Sequence, residues 1–206
     1  AHLVVVNVAA ADTMWTVKEA IGTAFVDRAS RPRIGVAQAA GARTFGAALQ
    51  TALDRPDDPT DGWLWLLHDD SAPEPTALAE LLSAVDVAPS VALAGPKQVS
   101  WTTPRRILEA GITATRFGRR ITGVDPTELD QGQHDGREDV LAVGLAGALV
   151  KQQVWFHLGG TDPALGPFAD GLDLGIRARL AGHRVIVVPT AVVRHAQATY
   201  YGLRRP

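Results

Sequence analysis

Cysteine is absent from the 206 residues. That excludes disulfides and thiolate metal sites and fits a cytosolic compartment. Lysine is scarce: only Lys18, Lys97 and Lys151 carry it, and the other basic residues are arginine. With the abundance of Ala, Gly and Val, this points to a GC-rich genome. An excess of one charge is also lacking. A net charge of −2 gives no basic face for nucleic acid, and no nucleic-acid partner is expected. Long apolar runs are missing too. The longest uncharged one, Leu141–Val150, is far short of the roughly 20 residues that span a bilayer. The opening run Ala1–Ala11 has no basic segment before it, so no secretory leader is read there.

What remains is a globular chain. Apolar residues make up 46% and charged residues 20%, which suits one α/β domain over residues 1–206 with a sizeable core. Leu3–Val8 and Ile34–Ala37 read as strands, and Thr13–Phe25 reads as a helix capped by Asp12 or Thr13. In Thr44–Leu53, Phe45, Leu49 and Leu53 share a helical stripe. The Pro- and Asp-rich segment Asp54–Gly62 is a loop. Trp63–Leu67 is apolar on both faces, the pattern of a central parallel strand covered on both sides.

Pro75 opens a helix striped by Leu78, Leu81, Leu82 and Val85, and Val91–Ala94 is a short strand ended by Gly95-Pro96. Ile107–Thr115 and Arg120–Val124 form a hairpin around Phe117-Gly118, and Asp125–Asp139 is a polar, mobile loop. Leu141–Val150 is a buried strand, followed by a short helix at Gln152–Leu158. Leu172, Ile176 and Leu180 mark a helix closed by Gly182. Arg184–Val188 is a strand ended by Pro189, and Ala191–Val193 leads to His195. Alternating strands and helices predict a mostly parallel sheet flanked by helices, with a small hairpin insertion.

Three places could carry chemistry. Asp69 and Asp70 follow the Trp63–Leu67 strand, and ligands of open α/β sheets bind at the carboxyl ends of strands. Adjacent carboxylates there are costly to desolvate without a cation, and Mg²⁺ or Mn²⁺ favours oxygen ligands. The plainer alternative is a helix cap, since Asp and Ser cap helices well. Asp170 and Asp173 open the helix that carries Arg177, and an ordinary ion pair four residues apart accounts equally well for Asp173. His195 follows a strand and taken alone is more often structural. Arg105, Arg106, Arg119 and Arg120 could hold phosphates or simply form a solvated basic hairpin.

The order of these features is more specific than any one of them. The chain runs from Trp63-Leu64-Trp65-Leu66-Leu67-His68-Asp69-Asp70-Ser71, through Gly147-Ala148-Leu149-Val150 and Gly159-Gly160-Thr161-Asp162, to Phe168…Asp173-Leu174…Arg177. It then continues Ala181-Gly182-His183-Arg184-Val185 and Pro189…His195. Over roughly residues 40 to 197 this resembles the family-2 glycosyltransferases of the GT-A fold, and looks closest to actinobacterial members, whose chains often continue into membrane segments.

The resemblance implies metal-dependent, inverting transfer of a sugar from a nucleotide-diphosphate sugar to a carbohydrate or lipid-linked acceptor, with Mn²⁺ or Mg²⁺ as cofactor. The cytoplasm, at the inner face of a membrane, is the place it implies. Asp70 and His195 match metal ligands, and Asp69 would sit near the ribose or the metal's water shell. Asn7 and Asp12 fall on the nucleotide side, and the Gly159–Asp162 turn and the helix from Asp170 line the acceptor side.

Three departures stand out. Gly171 occupies the usual place of the catalytic base, which leaves Asp170 or Asp173 to substitute. Restoring an acid at 171 is expected to leave the backbone undisturbed. His68 stands where many relatives have an acid, and Asn7 where an acid often contacts the nucleoside. If Leu3–Val8 corresponds to the family's second strand, the first lies outside these residues. A second reading follows: a catalytically degenerate module that binds a sugar nucleotide or partner without turnover. A nucleotidyltransferase is a third, disfavoured by the order of motifs.

Overall fold

The structure is a computed structural model, and it describes residues 2–8, 16, 18–19, 33–53, 62–136, 138–166 and 168–203. Residues 16, 18 and 19 are helical; the rest of the helix expected over Thr13–Phe25, Asp12, and positions 54–61 of the expected loop lie outside the described residues. The chain divides into two compact units, Ala1–Pro59 and Thr60–Pro206.

In the first unit, β1 (His2–Asn7) and β2 (Arg33–Gln38) pair in parallel, from His2 opposite Arg33 to Asn7 opposite Gln38. Helix α1 (Phe45–Leu53) follows and buries Ala48, Ala52 and Leu53. Its first turn is capped by Thr44, whose hydroxyl accepts from the Ala47 amide at 3.2 Å.

The second unit is built on β5 (Val91–Ser100), every residue of which is buried. Along one side of β5 lies β10 (Arg184–His195), parallel to it. Along the other side, β9 (Leu149–Lys151) pairs with its first half and β6 (Ile107–Glu109) with its second, both antiparallel. The short strand β3 (Trp63–Trp65) adds to β9, and β4 (Ser71–Pro73) adds to the end of β10, again antiparallel. The sheet order is therefore β3-β9-β5-β10-β4.

Helix α2 (Ala77–Asp86) covers one face. Its Ala77, Leu81 and Val85, spaced four apart, pack with Ala94, Leu149, Ile186, Val188 and Ala191. Leu81 is fully buried, and truncating such a leucine to alanine costs about 2–5 kcal/mol. Two further helices, α3 (Gln152–His157) and α4 (Asp170–Leu180), complete the unit. Leu172 of α4 packs with Ile112 and Ala142, and Ile176 lies against that cluster.

The alternation of elements suggested a mostly parallel sheet, whereas the sheet is mixed. The chain reaches β9 and β6 by return excursions instead of helical crossovers, and such returns run antiparallel. For the same reason Trp63–Trp65 is an antiparallel strand beyond β9 and not a central parallel one. Its apolar faces are used against α2, with Trp63 and Trp65 lying on that core.

Two breakers were over-read. β5 continues through Gly95-Pro96, because Pro96 falls between the β9 and β6 pairings and at a register shift with β10, where the ladder is interrupted. Likewise Pro189 does not end β10; it sits in the irregularity between Val188 and Val192, and the strand resumes.

The expected long strand Leu141–Val150 is regular only from Leu149. Before that it is a buried irregular segment tied to Ile112 through Ala142. The hairpin is shorter than expected, with β7 (Thr113–Ala114) on β8 (Arg120–Ile121), because Ile107–Glu109 is taken by β5. The polar loop from Asp125 is pinned: the Lys97 ammonium bonds both oxygens of Asp130, at 2.8 and 3.1 Å, and Asp135 at 2.6 Å.

Candidate functional site

A strand buried on both faces should be apolar throughout. β5 instead ends in Lys97, Gln98 and Ser100, and each buried polar group needs a partner. Alternation sends consecutive side chains to opposite faces. Lys97 turns to the Asp130–Asp135 loop. Gln98 turns to His195: its Nε2 donates to the Ala146 carbonyl at 3.1 Å, which aims Oε1 at His195 Nδ1, 3.0 Å away.

The register of the sheet brings Asp70 to the same point. His195 pairs with Ser71 across β10 and β4, so the residue before Ser71 lies beside it. His195 Nε2 is 3.2 Å from Asp70 Oδ1, although 125 positions separate the two in sequence. Backbone contacts hold Asp70 in place. The Ala198 amide donates to its Oδ2 at 2.8 Å, and the Ala196 amide to its carbonyl at 2.9 Å. A tight turn closes the set: the Ser71 amide and hydroxyl both donate to the His68 carbonyl, at 3.1 and 2.7 Å. That turn folds His68 back so that its ring meets His195 edge-on, 5.5 Å between centroids. One ligand atom each from His68, Asp70 and His195 lies within 4.8 Å of the others.

The donor chemistry fits a cation. With Nδ1–H committed to Gln98, the Nε2 lone pair of His195 faces a carboxylate oxygen. Two acceptors at that distance call for a proton or a metal ion between them. Asp69 is exposed in the turn and is not one of the three.

Comparison with known proteins decides the family. The profile of the family described as "Glycosyltransferase like family 2" matches residues 3–205. The chain belongs to this family. Among solved structures it is similar to the crystal structure of GalNAc-T7 with UDP, GalNAc and Mn²⁺, at 12% identity and a TM-score of 0.66. That likeness covers 94% of this chain and 37% of the other, so the chain spans well under half the length of that protein. It establishes the GT-A fold. No protein of curated function matches the sequence.

In this glycosyltransferase domain the two acids of α4 have different surroundings. Asp173 binds Arg177, whose guanidinium also donates to the carbonyls of Leu158 and Gly160, at 2.7 Å each. That network holds the Gly159–Gly160 turn against the helix. Asp170 is buried, and its Oδ1 accepts from the Gly171 amide at 2.7 Å. Burial pushes its carboxyl up to about 6; the Gly171 amide and the charge of Arg120 oppose that, and the charge of Glu109 adds to it. Glu109 is itself buried, held by the Gly144 amide at 2.6 Å and by an ion pair with Arg120.

Gly171 corrects an expectation. A Cβ there would lie well inside the van der Waals contact distance of the Val143 carbonyl oxygen and close to Gly144. The glycine lets α4 start directly on that segment, and an acid at 171 does not fit.

The remaining candidates are scattered. Asn7 ends β1 in the first unit, and its amide donates to Gln38 at 3.0 Å across the β1–β2 pair. Asp12 lies outside the described residues. Of the four arginines, Arg119 is exposed as a solvated hairpin would have it, while Arg120 pairs with buried Glu109, Arg105 contacts the Asp130 carbonyl at 3.5 Å, and Arg106 reaches Ser100 and Tyr201.

Residue types alone did not reveal His68, Gln98 and Glu109. Gln98 and Glu109 carried a usable signal: each is a polar residue inside an apolar strand.

Proposed function

We propose that this domain transfers a sugar from a nucleoside-diphosphate sugar to an acceptor hydroxyl with inversion, using Mn²⁺. The observation that carries the reading is the convergence of His68, Asp70 and His195 at the ends of β3 and β10 within a GT-A fold. His68 takes the place of an acid without reducing the number of donors. Two imidazoles and a carboxylate shift the preference from Mg²⁺ toward transition ions, Mn²⁺ among them. A bound ion supplies positive charge against the leaving diphosphate. Gln98 orients His195, and the Ala198 amide orients Asp70.

Asp170 is the proposed base. A carboxyl held near 6 is ionised at neutral pH yet far more basic than an exposed aspartate, the match general-base catalysis needs. Asp173, committed to Arg177, keeps the turn that faces the acceptor. Nucleotide contact by Asn7, Asp12 and Asp69, the actinobacterial affinity, and a lipid-linked acceptor at the cytoplasmic face of a membrane rest on the resemblance. No helix among the described residues is long and apolar enough to cross a membrane.

The second reading, a binder without turnover, is favoured by Gly171 and opposed by the environment of Asp170. Calorimetry with UDP and GDP, with and without Mn²⁺, followed by a donor-hydrolysis assay, separates the two. Mn²⁺-dependent binding with hydrolysis supports the enzyme; Mn²⁺-dependent binding without hydrolysis supports the binder. Equal affinity with and without metal removes the metal-dependent enzyme and leaves the binder.

A further inference from the structure

β5 and β6 meet at a point where both are polar. Gln98 stands opposite Glu109 in that antiparallel pairing, and facing residues of such a pair send their side chains to the same side. Both are buried. Gln98 is accounted for, because it aims His195. Glu109 has no part in the chemistry described so far, and burying a carboxylate is costly unless it is paired.

The two side chains hold one segment between them, Val143–Ala146. Glu109 Oε1 accepts from the Gly144 amide at 2.6 Å, and Gln98 Nε2 donates to the Ala146 carbonyl at 3.1 Å. The approach is so close that position 144 has room only for glycine. A Cβ there would stand 2.8 Å from Gln98 Nε2 and 2.9 Å from Glu109 Oε1. The same segment carries the start of α4, since Gly171 rests on the Val143 carbonyl and beside Gly144. Glu109 is therefore linked to the residue next to Asp170 through a single stretch of backbone.

Arg120 closes the group from β8. Its guanidinium pairs with Glu109 Oε2, while among the described residues it forms no ion pair with Asp170, on which its charge still acts. The charges that act on Asp170 come from Arg120 on β8 and Glu109 on β6. Asp173, on the same helix as Asp170, is committed to Arg177, and Val143–Ala146 brings no ionisable side chain. A guanidinium shared between two carboxylates serves one fully only by leaving the other. Paired with Asp170, it would hold that carboxylate ionised and weakly basic. Paired with Glu109, it leaves Asp170 its affinity for a proton.

We propose that Glu109 is a positioning residue for Asp170: it seats the Val143–Gly144 segment on which α4 opens and keeps Arg120 in an ion pair that would otherwise close on Asp170. This rests on the reading of Asp170 as the base. One facing pair on β5 and β6 then registers both ends of the site, His195 through Gln98 and α4 through Glu109.

The test is a pH titration of the whole chain by NMR, with the aspartate carboxyl carbons labelled with ¹³C. The Asp170 signal is assigned by its loss in Asp170→Asn. The wild-type midpoint is expected near 6. Glu109→Gln keeps an acceptor for the Gly144 amide but drops the charge that holds Arg120, so the midpoint should fall by about 0.5–1 pH unit. Arg120→Met should raise it by about as much, the effect of a single charge acting from beyond contact. The Arg120 side chain is over a third exposed, so its replacement should fold. If Glu109→Gln does not fold, Arg120→Met decides alone.

Displacements in opposite directions support the proposal. A midpoint that stays in place in a folded variant, or moves the same way in both, overturns it, since a purely structural Glu109 gives no such signature. Turnover of a panel of UDP- and GDP-sugars with Mn²⁺ is followed over the same pH range. Its acid limb should move with the NMR midpoint. A limb that does not follow leaves the control of Asp170 by Glu109 and Arg120 standing and removes Asp170 as the base.

Discussion

Lys97 and Gln98 are neighbours on β5, and the two faces they serve differ in one respect. On the Lys97 side the chain supplies its own cation. Burial pulls the lysine's pKa down, but the bonds from Asp130 and Asp135 more than offset this and hold it above its usual value. Asp130 in turn is held below its usual value: burial raises it, and Lys97 with the Gly132 amide more than compensates. On the Gln98 side an acceptor-rich group of two imidazoles and a carboxylate gathers around one point. A buried polar cluster that balances itself holds a loop; one that leaves room for an outside charge is suited to chemistry. Asp170 extends the second kind, as a buried carboxyl raised by its surroundings.

The largest effect expected from breaking this contrast is at Asp170. Asp170→Asn should slow transfer about 10²- to 10⁴-fold, the usual contribution of a positioned base. The same change should stabilise the fold at high pH. The folded carboxyl titrates at about 6 and an unfolded one near 3.8. Since the folded value is the higher, the protonated form's contribution is complete below about pH 4 and lost as pH rises through about 6. Asparagine stays neutral throughout. Denaturant titrations should then show the variant ahead by about 2–3 kcal/mol at pH 8 and level with wild type near pH 4. A variant no more stable at pH 8 would mean that the carboxyl is not raised.

Next comes Asp70→Ala, which should remove the Mn²⁺ enhancement of UDP binding, a loss of about 100-fold where a ligand and its neighbours are disrupted together. Calorimetry with and without metal reads this directly; an enhancement that survives would place the cation elsewhere.

Lys97→Met sharpens the contrast from the other side. It should cost about 3 kcal/mol of stability by thermal or denaturant unfolding, at the lower end for a broken buried pair because Asp135 is half-exposed. UDP–Mn²⁺ affinity in the still-folded fraction should be unchanged. If the metal response is lost while stability holds, the division between the two faces is wrong.

Gly171→Asp is the smallest of the four. Overpacking against the Val143 carbonyl should destabilise the domain by about 2 kcal/mol with no gain in transfer rate. A faster, equally stable variant would restore the view that this position lacks only its acid.

What could be read in advance, and what could not, divides along the same lines. That Asp70 and His195 should converge was legible because both follow strands, and strand ends in α/β sheets share a crevice. His68 was legible only as a departure from the family pattern; that it lies beside Asp70 and His195 depends on the turn after β3, which residue types do not reveal. Pro96 and Pro189 looked like strand ends because sequence does not reveal where a ladder has gaps. Gly171 looked like a lost acid because the constraint on it comes from Val143, 28 positions earlier, and nothing local announces that approach. Lys97 and the Asp130–Asp135 loop were invisible for the same reason.

The irregularity in β10 has a consequence for how such chains can change length. Between Val188 and Val192 the strand advances four residues while β5 advances one. Positions 189–191 therefore stand outside the ladder, and the stretch from Val192 to His195 is registered separately against Lys97–Ser100. An insertion or deletion at Pro189 or the exposed Thr190 falls outside the ladder and breaks no strand pairing, whereas Ala191 is fully buried against α2. The same event one step later, between Val192 and His195, would turn His195 to the opposite face and part it from Asp70. Relatives aligned to this chain should gather their gaps in the first window and keep the second intact, so that the packing half of the strand and its chemical half accumulate changes independently.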